Sequence, residues 1–280
     1  MPSRRCSPVS AAVPPNNTVK AREQHYRVGR AVAAGSRTAI KESTAAGTKR
    51  IIPIQPPLAL APELRAFDLD DLADVRRSFT RATPVSSQQG WLTKPERDFA
   101  PMTVRSGWQA NELLVFAELT DADIFTRATA HHQRLWELGD AFEIFLRLTG
   151  QESYVELQVA PNNRRLQLRY PNRAAVARAR KLGSAEEFVV GGKTFRSRVW
   201  LRAKEAKWFV LAQIPARVAC GEARLRPGLR WRFSFSRYDY TRGRLAPVIS
   251  STSPHAKADF HRQQEWGVLR LVSALPRTES

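Results

Sequence analysis

From about residue 102 the chain is written in short runs in which apolar and polar residues alternate, and that two-residue period admits little other than a half-buried β-sheet. Residues 112–119 (ELLVFAEL), 142–148 (FEIFLRL), 154–159 (YVELQV) and 165–170 (RLQLRY) are rich in β-branched or aromatic side chains. Turn residues bound them, notably Thr149-Gly150 and Pro161-Asn162-Asn163, so they predict consecutive antiparallel strands. A second group follows at 193–201, 208–214, 229–238 and 268–272, with Val190-Gly191-Gly192-Lys193 offering a hairpin turn. Helical signals are confined to residues 172–182 (NRAAVARARKL) and one turn over 215–220, and neither could form a core. Eight or more strands with so little helix predict an all-β protein, an antiparallel β-sandwich.

The first fifty residues read differently, with ten Lys or Arg, two Glu and a single aromatic, Tyr26. So little apolar surface cannot offset an ordering entropy of roughly 1–2 kcal/mol per residue, which predicts a disordered basic tail over 1–50 ahead of one folded domain over 51–275. Within that domain residues 51–90 are expected to supply the lead-in and first strand elements. The tail also dilutes the meaning of the net charge. Of the +19 on the whole chain, +11 remains on residues 51–280, and much of it alternates with apolar residues, as in Leu229-Arg230-Trp231-Arg232-Phe233. That is how a half-buried strand presents a solvated face, so nucleic acid is not the expected partner.

Several chemistries are excluded or weakened by what is missing. Cys6 and Cys220 cannot build a disulfide framework or a thiolate metal site. No run reaches the ~18 apolar residues of a membrane-spanning helix, and the apolar stretch at 51–62 is broken by four prolines. Arg4 and Arg5 are not followed by the apolar segment of a classical signal peptide, which leaves localisation open. Glu137, Asp140 and Glu143 cluster in sequence, but catalytic carboxylate pairs need two groups projecting into one cleft. His131 and His132 are adjacent, and His255 and His261 stand apart, which is poor spacing for one metal ion. Ser250, Ser251 and Ser253 lack a nucleophile-elbow context, and no phosphate-binding glycine loop is present. No catalytic residue is assigned. Trp136 in Arg134-Leu135-Trp136-Glu137 and Phe260 in Asp259-Phe260-His261-Arg262 place aromatics in polar company, where a ring can serve as a platform for a sugar while charged neighbours bond its hydroxyls.

The order of segments carries a resemblance. Leu114-Val115-Phe116-Ala117 runs into Thr120-Asp121-Ala122-Asp123, followed by Leu135-Trp136-Glu137, Asp140-Ala141-Phe142-Glu143-Ile144-Phe145 and Tyr154-Val155-Glu156-Leu157-Gln158-Val159-Ala160-Pro161-Asn162. Then come Ala212-Gln213-Ile214-Pro215, Phe233-Ser234-Phe235-Ser236-Arg237-Tyr238-Asp239 and Asp259-Phe260-His261 with Trp266-Gly267-Val268-Leu269-Arg270-Leu271. Over residues 88–273 this order resembles the family 9 carbohydrate-binding modules and their bacterial relatives. The resemblance implies a jelly-roll or immunoglobulin-like β-sandwich related to DOMON domains, with no catalytic centre of its own. It implies a glycan or oligosaccharide ligand, and a link to polysaccharide breakdown, because family members accompany xylanases and other glycoside hydrolases.

Carried over by position, the resemblance makes Trp136 and Phe260 two jaws on the sugar, with Glu143, Gln158 and Glu156 bonding its hydroxyls. Ser236, Arg237, Asp239 and His261 complete the expected set. Arg237, Arg242 and Arg244 are further expected to suit an anionic sugar. The family's calcium sites find a counterpart only in Asp68, Asp70, Asp71 and Asp74, which read equally as a polar helix face, so no cofactor is expected. Two rival readings remain: a basic nucleic-acid-binding protein, and a DOMON-like domain with His261 or His131 as a haem or metal ligand.

Overall fold

The computed structural model describes residues 55–191, 194–219, 221 and 224–274. The tail expected at 1–50 lies outside the described residues, as do Gly192 and Lys193 of the expected hairpin turn. The strands run, in chain order, β1 (Leu58–Pro62), β2 (Val85–Ser86), β3 (Met102–Gln109), β4 (Glu112–Thr120), β5 (Ala141–Leu148), β6 (Tyr154–Val159), β7 (Arg165–Tyr170), β8 (Arg196–Arg202), β9 (Lys207–Pro215), β10 (Arg230–Asp239), β11 (Val248–Ser251) and β12 (Gly267–Val272). Seven of them form one sheet in the order β1-β12-β10-β5-β6-β7, with β11 also paired to β10, and five form a second sheet in the order β2-β3-β4-β9-β8. The chain is therefore the all-β sandwich that the alternation predicts.

Pairing is antiparallel except between β1 and β12, which run parallel. Pro62 ends β1, and β1 is an edge strand, where a residue without an N–H removes no ladder bond from the sheet interior. The Val190–Lys193 segment does not join two neighbouring strands, because β7 belongs to the larger sheet and β8 to the smaller. The link between them instead carries the helix α2 (Arg173–Leu182), the middle of three among the described residues, after α1 (Leu72–Ser78) and before α3 (Ala216–Ala219). Asn172 caps α2 by accepting the Ala175 N–H at 3.0 Å, and Gly183 ends it at φ 64°, a left-handed backbone that favours glycine.

Alternation assigns each strand a face. Leu113, Val115, Ala117 and Leu119 of β4 join Phe142, Ile144, Leu146, Val155, Leu157, Val159, Trp231, Phe233 and Phe235 in the core between the sheets. The intervening Leu114 and Phe116 turn the other way, under α1, with Val75, Phe79, Phe209 and Leu211. The larger sheet is also covered on its outer face, where Ala141, Phe145, Tyr154, Leu166, Leu168 and Tyr170 meet α2 and the 260–266 segment. Each fully buried large apolar side chain contributes about 1.5–3 kcal/mol, so the three layers together outweigh what either sheet alone could bury.

One close approach ties β12 into the larger sheet. Gly267 lies opposite Phe233, and a Cβ there would stand 2.5 Å from the Pro57 carbonyl oxygen and 2.6 Å from the Phe233 ring. Gly267→Ala is expected to destabilise the fold by about 1–3 kcal/mol, the usual penalty for forcing atoms into a packed interior. Urea unfolding measures this, and an unchanged midpoint would contradict it.

Candidate functional site

On the outer face of the larger sheet, cross-strand register sets polar residues side by side. Ser251 of β11 lies opposite Ser236 of β10, Ser236 opposite Glu143 of β5, and Glu143 opposite Gln158 of β6. One step along, Ser234 faces Phe145 and Phe145 faces Glu156. Val155, Leu157 and Val159 point into the core, so Tyr154, Glu156 and Gln158 share the outer face by the two-residue period. That face is covered, and all three polar groups of the strip are buried: Glu143 is 2%, Glu156 4% and Gln158 0% exposed.

A single amide serves both carboxyl groups. Gln158 Nε2 donates to Glu143 Oε1 at 2.8 Å and to Glu156 Oε1 at 2.6 Å. The acceptors are left over: among the described residues, no hydrogen bond reaches Glu156 Oε2 or Gln158 Oε1. Leaving a buried polar atom unpaired costs roughly 1–3 kcal/mol, so these two oxygens are poised for a donor. Burial, and then the neighbouring Glu156, push the Glu143 carboxyl well above its ordinary range. Burial likewise raises Glu156, to about 7, against the Gln158 hydrogen bond and the charge of Arg180, which pull it down.

His261 closes the strip from above. Tyr154 Oη and His261 Nδ1 are 2.6 Å apart, and His261 Nε2 stands 3.7 Å from Glu156 Oε2. Burial, and next the Arg180 charge, hold the imidazole below its ordinary range, so it is neutral near pH 7. In the neutral ring one nitrogen carries the N–H and the other accepts, and Tyr154 Oη bonds Nδ1 in either tautomer. At the rim Arg180 of α2 grips Asp259 at 2.6 Å, and Asp259 accepts the His261 backbone N–H at 3.0 Å.

The two expected jaws are set differently. Trp136 is half-buried on a short turn at Leu135–Glu137, with the Arg134 guanidinium 5.0 Å from its ring centroid. Tyr240 Oη donates to the Trp136 carbonyl at 2.6 Å and fixes that turn. Phe260 is only 5% exposed, its ring within 6.4 Å of Trp91, Phe145 and Tyr238, so it lies inside the aromatic cover and is not an open platform.

Arg237 and Asp239 do not belong with Glu143, and the carry-over that put them there is corrected. They share strand parity with Phe233 and Phe235, so they face the interior between the sheets. Arg237 is fully buried and donates to the Thr120 carbonyl at 2.5 Å and to Asp121 Oδ2 at 2.9 Å, with Asp239 Oδ1 at 3.1 Å. Since Thr120 ends β4 and Arg237 sits on β10, this cation fastens one sheet to the other. Arg242 and Arg244 are likewise engaged, by Asp123 and Asp98. The Glu137, Asp140 and Glu143 trio also disperses: Glu137 pairs with Arg134 at 2.7 Å, whereas Asp140 accepts the Phe125 and Tyr240 N–H groups at 2.7 and 2.8 Å.

Asp121, Asp140 and Asp239 bring carboxylate oxygens within 4.8 Å of one another, a meeting that no sequence spacing signals. Their donor set does not fit calcium. The Asp140 oxygens accept backbone N–H groups, and the Arg237 guanidinium already supplies positive charge to Asp121 and Asp239. The other acidic cluster is a helix start. Asp71 caps α1 at Ala73, Asp70 pairs with Arg198, and Asp74 pairs with Arg77 at 2.8 Å and accepts the Asp68 N–H at 2.9 Å. As for a haem ligand, His131 Nδ1 accepts the Arg165 N–H at 3.0 Å, and both His261 nitrogens face internal partners.

No protein-family profile and no curated protein matches this sequence. The fold does find relatives. A candidate carbohydrate-binding protein from Bacteroides uniformis superposes with a TM-score of 0.59 at 14% identity, over 76% of this chain and 98% of that one. A family 9 carbohydrate-binding module from Caldicellulosiruptor kristjanssonii, solved with cellotriose, superposes with a TM-score of 0.51 at 13% identity, over 80% of this chain and 98% of that one. The chain thus has the β-sandwich fold of family 9 carbohydrate-binding modules, as the sequence resemblance implies.

Two measurements probe these assignments. Removing one member of a buried ion pair strands the other, at a cost of about 3–5 kcal/mol, so Arg237→Met is expected to lower unfolding free energy by that amount, and an unaltered urea midpoint would refute the role. For Glu156, a folded-state pKa raised from 4.5 to about 7 gives stability that is fully present below about pH 4.5 and lost as pH rises through 7. Glu156→Gln should therefore gain stability relative to wild type across that window, in thermal melts at successive pH values; a difference that does not vary with pH would rule this out.

Proposed function

We propose that the protein binds carbohydrate without transforming it, on the outer face of the seven-stranded sheet. The observation that carries this reading is the buried polar strip with its two unpartnered acceptors, Glu156 Oε2 and Gln158 Oε1, set among aromatic side chains. A sugar offers the complement to such a surface: hydroxyl donors for the oxygens and an apolar C–H face for a ring. Glu143, Glu156, Gln158 and His261 are the polar contacts in this reading, Ser236 extends the same row, and Trp136 is a half-buried aromatic packed against the same cluster. Phe260, 5% exposed inside the aromatic cover, is not an open platform and supports the strip by packing. The family 9 fold supports the same ligand class, and a part in polysaccharide or oligosaccharide breakdown, alongside glycoside hydrolases, fits a module of this kind.

The reading is tested by a glycan array of neutral and uronic-acid oligosaccharides probed with the full chain, with Trp136→Ala and Glu143→Gln alongside and their folding checked by circular dichroism. Wild type is expected to bind, and folded Trp136→Ala to bind about tenfold or more weakly, as loss of one aromatic stacking contact would give. A folded wild type that binds no oligosaccharide, or equal binding by the folded Trp136→Ala, overturns the proposal.

A further inference from the structure

The same outer face carries a second feature beyond the polar strip. On β5, Arg147 follows Phe145 and Glu143 by strand parity; on β10, Arg232 and Arg230 continue the row of Ser236 and Ser234. Register then sets arginine against arginine: Arg232 lies directly opposite Arg147, and Arg230 directly opposite Arg270 of β12. Neighbouring strands are ~5 Å apart and same-face residues along a strand ~7 Å apart, so four guanidinium groups project from a patch roughly 10 Å across. Arg230 and Arg270 are exposed, and Arg147 and Arg232 half-buried.

Like charges placed directly opposite on adjacent strands destabilise a sheet, and proteins ordinarily relieve them with carboxylates. Here the relief is missing: among the described residues no carboxylate forms an ion pair with any of the four. The carboxylates on the flanking turns, Glu63 and Glu152, pair with none of them, and Glu265 is spent on Arg262 and His255. Within the patch Arg232 donates to the Gln264 carbonyl at 3.2 Å, and among the described residues Arg147 Nε is buried without an acceptor. Burial, and then the charge of Arg147, hold the Arg232 guanidinium below its ordinary range, the electrostatic signature of cations crowding one another.

We propose that Arg147, Arg230, Arg232 and Arg270 form a subsite for the carboxylates of an acidic, uronic-acid-bearing oligosaccharide, continuous with the sugar-binding strip. This rests on the carbohydrate-binding reading of that strip and extends it to the charge of the ligand. The guanidinium fork matches a carboxylate with two parallel hydrogen bonds, and two cross-strand pairs suit two successive acidic sugars. Single-stranded nucleic acid fits less well, because it is held by bases stacked on exposed aromatic rings. The aromatic residues nearest the patch, Tyr154 and Trp266, are 1% and 0% exposed, and its other neighbours in register are Leu58, Leu60 and Val268. The subsite also replaces the sequence-based expectation for anionic sugars, since Arg237, Arg242 and Arg244 are engaged by internal carboxylates.

The test is isothermal titration of the full chain with tetragalacturonate, with cellotetraose and with a ten-nucleotide single-stranded DNA, in wild type, Arg230→Gln/Arg270→Gln and Arg147→Gln. A control, Arg202→Gln/Lys204→Gln, removes the same charge from exposed positions at the far sheet. Tetragalacturonate is expected to bind wild type at least tenfold more tightly than cellotetraose. That affinity should fall about tenfold in the Arg230/Arg270 variant and in Arg147→Gln, but not in the control. The Arg230/Arg270 variant should melt at or above the wild-type temperature, because a like-charge pair has been removed. If the control loses affinity equally, or the DNA binds more tightly than tetragalacturonate and depends on the same arginines, the subsite is not one for acidic sugars. If neutral oligosaccharides bind on the array and tetragalacturonate binds no more tightly, this inference alone fails. If neither neutral nor acidic oligosaccharides bind, the carbohydrate-binding reading falls and takes this one with it.

Discussion

A strand buried on both faces has nowhere to place a charge without consequence, and that constraint governs the seven-stranded sheet. Sheets covered on both sides ordinarily read as continuous apolar runs, because each unpaired polar group carries a desolvation penalty. In β5 and β6 the inward positions obey the rule, while the outward ones hold Glu143, Glu156 and Gln158 beneath an aromatic cover. The Gln158 amide nitrogen serves both carboxyl groups, but no donor reaches Gln158 Oε1 or Glu156 Oε2 among the described residues, so the strip is under-bonded. Such an arrangement spends stability on chemistry, which is the usual mark of a site and not of a core.

The opposite end of the interior solves the same problem by compensation. Asp121, Asp140 and Asp239 would repel one another in the space between the sheets, and burial raises Asp140 to about 8 and Asp239 to about 7. The Arg237 guanidinium answers by joining Asp121, Asp239 and the Thr120 carbonyl, and backbone N–H groups answer at Asp140. The cluster thus carries its own cation, which fastens one sheet to the other, whereas among the described residues no cation is paired with Glu143 in the strip and the two acceptors there stay unbonded.

Much of the fold was legible because it follows from local pattern. The alternation of Val155, Leu157 and Val159 against Tyr154, Glu156 and Gln158 fixed a strand and its two faces, and the Ala- and Arg-rich run at 172–182 signalled α2. The site was legible only where parity was respected. Ser236 and Arg237 are consecutive residues of one strand and cannot both face a ligand, so carrying both over from a resemblance was bound to fail for one. Ser236 stays in the outer row and Arg237 turns inward, taking Asp239 with it. The remaining features are long-range: that Asp121 meets Arg237, or that Arg232 lies against Arg147, depends on register between segments far apart in the chain. Short strands such as β2 and β11 escape pattern reading for a related reason, since two or four residues show no period.

Parity also explains how one strand of the same residue types serves three ends. Along β10 the odd positions Trp231, Phe233 and Phe235 build the core and Arg237 closes it, so the inward arginine is neutralised by carboxylates. The even positions begin with Arg230 and Arg232, pass through Ser234 and Ser236, and end at Tyr238 under Phe260. Read in one direction the outer row grades from cationic to polar to aromatic, a sequence of environments that an extended ligand lying along the strand would meet in turn. Arg237, Arg242 and Arg244 are held by carboxylates and fasten loops and sheets. Arg147, Arg230, Arg232 and Arg270, for which no ion pair forms among the described residues, lie together in register on the face that also carries the unsatisfied acceptors. There positive charge changes what the face can hold without adding to the stability of the fold.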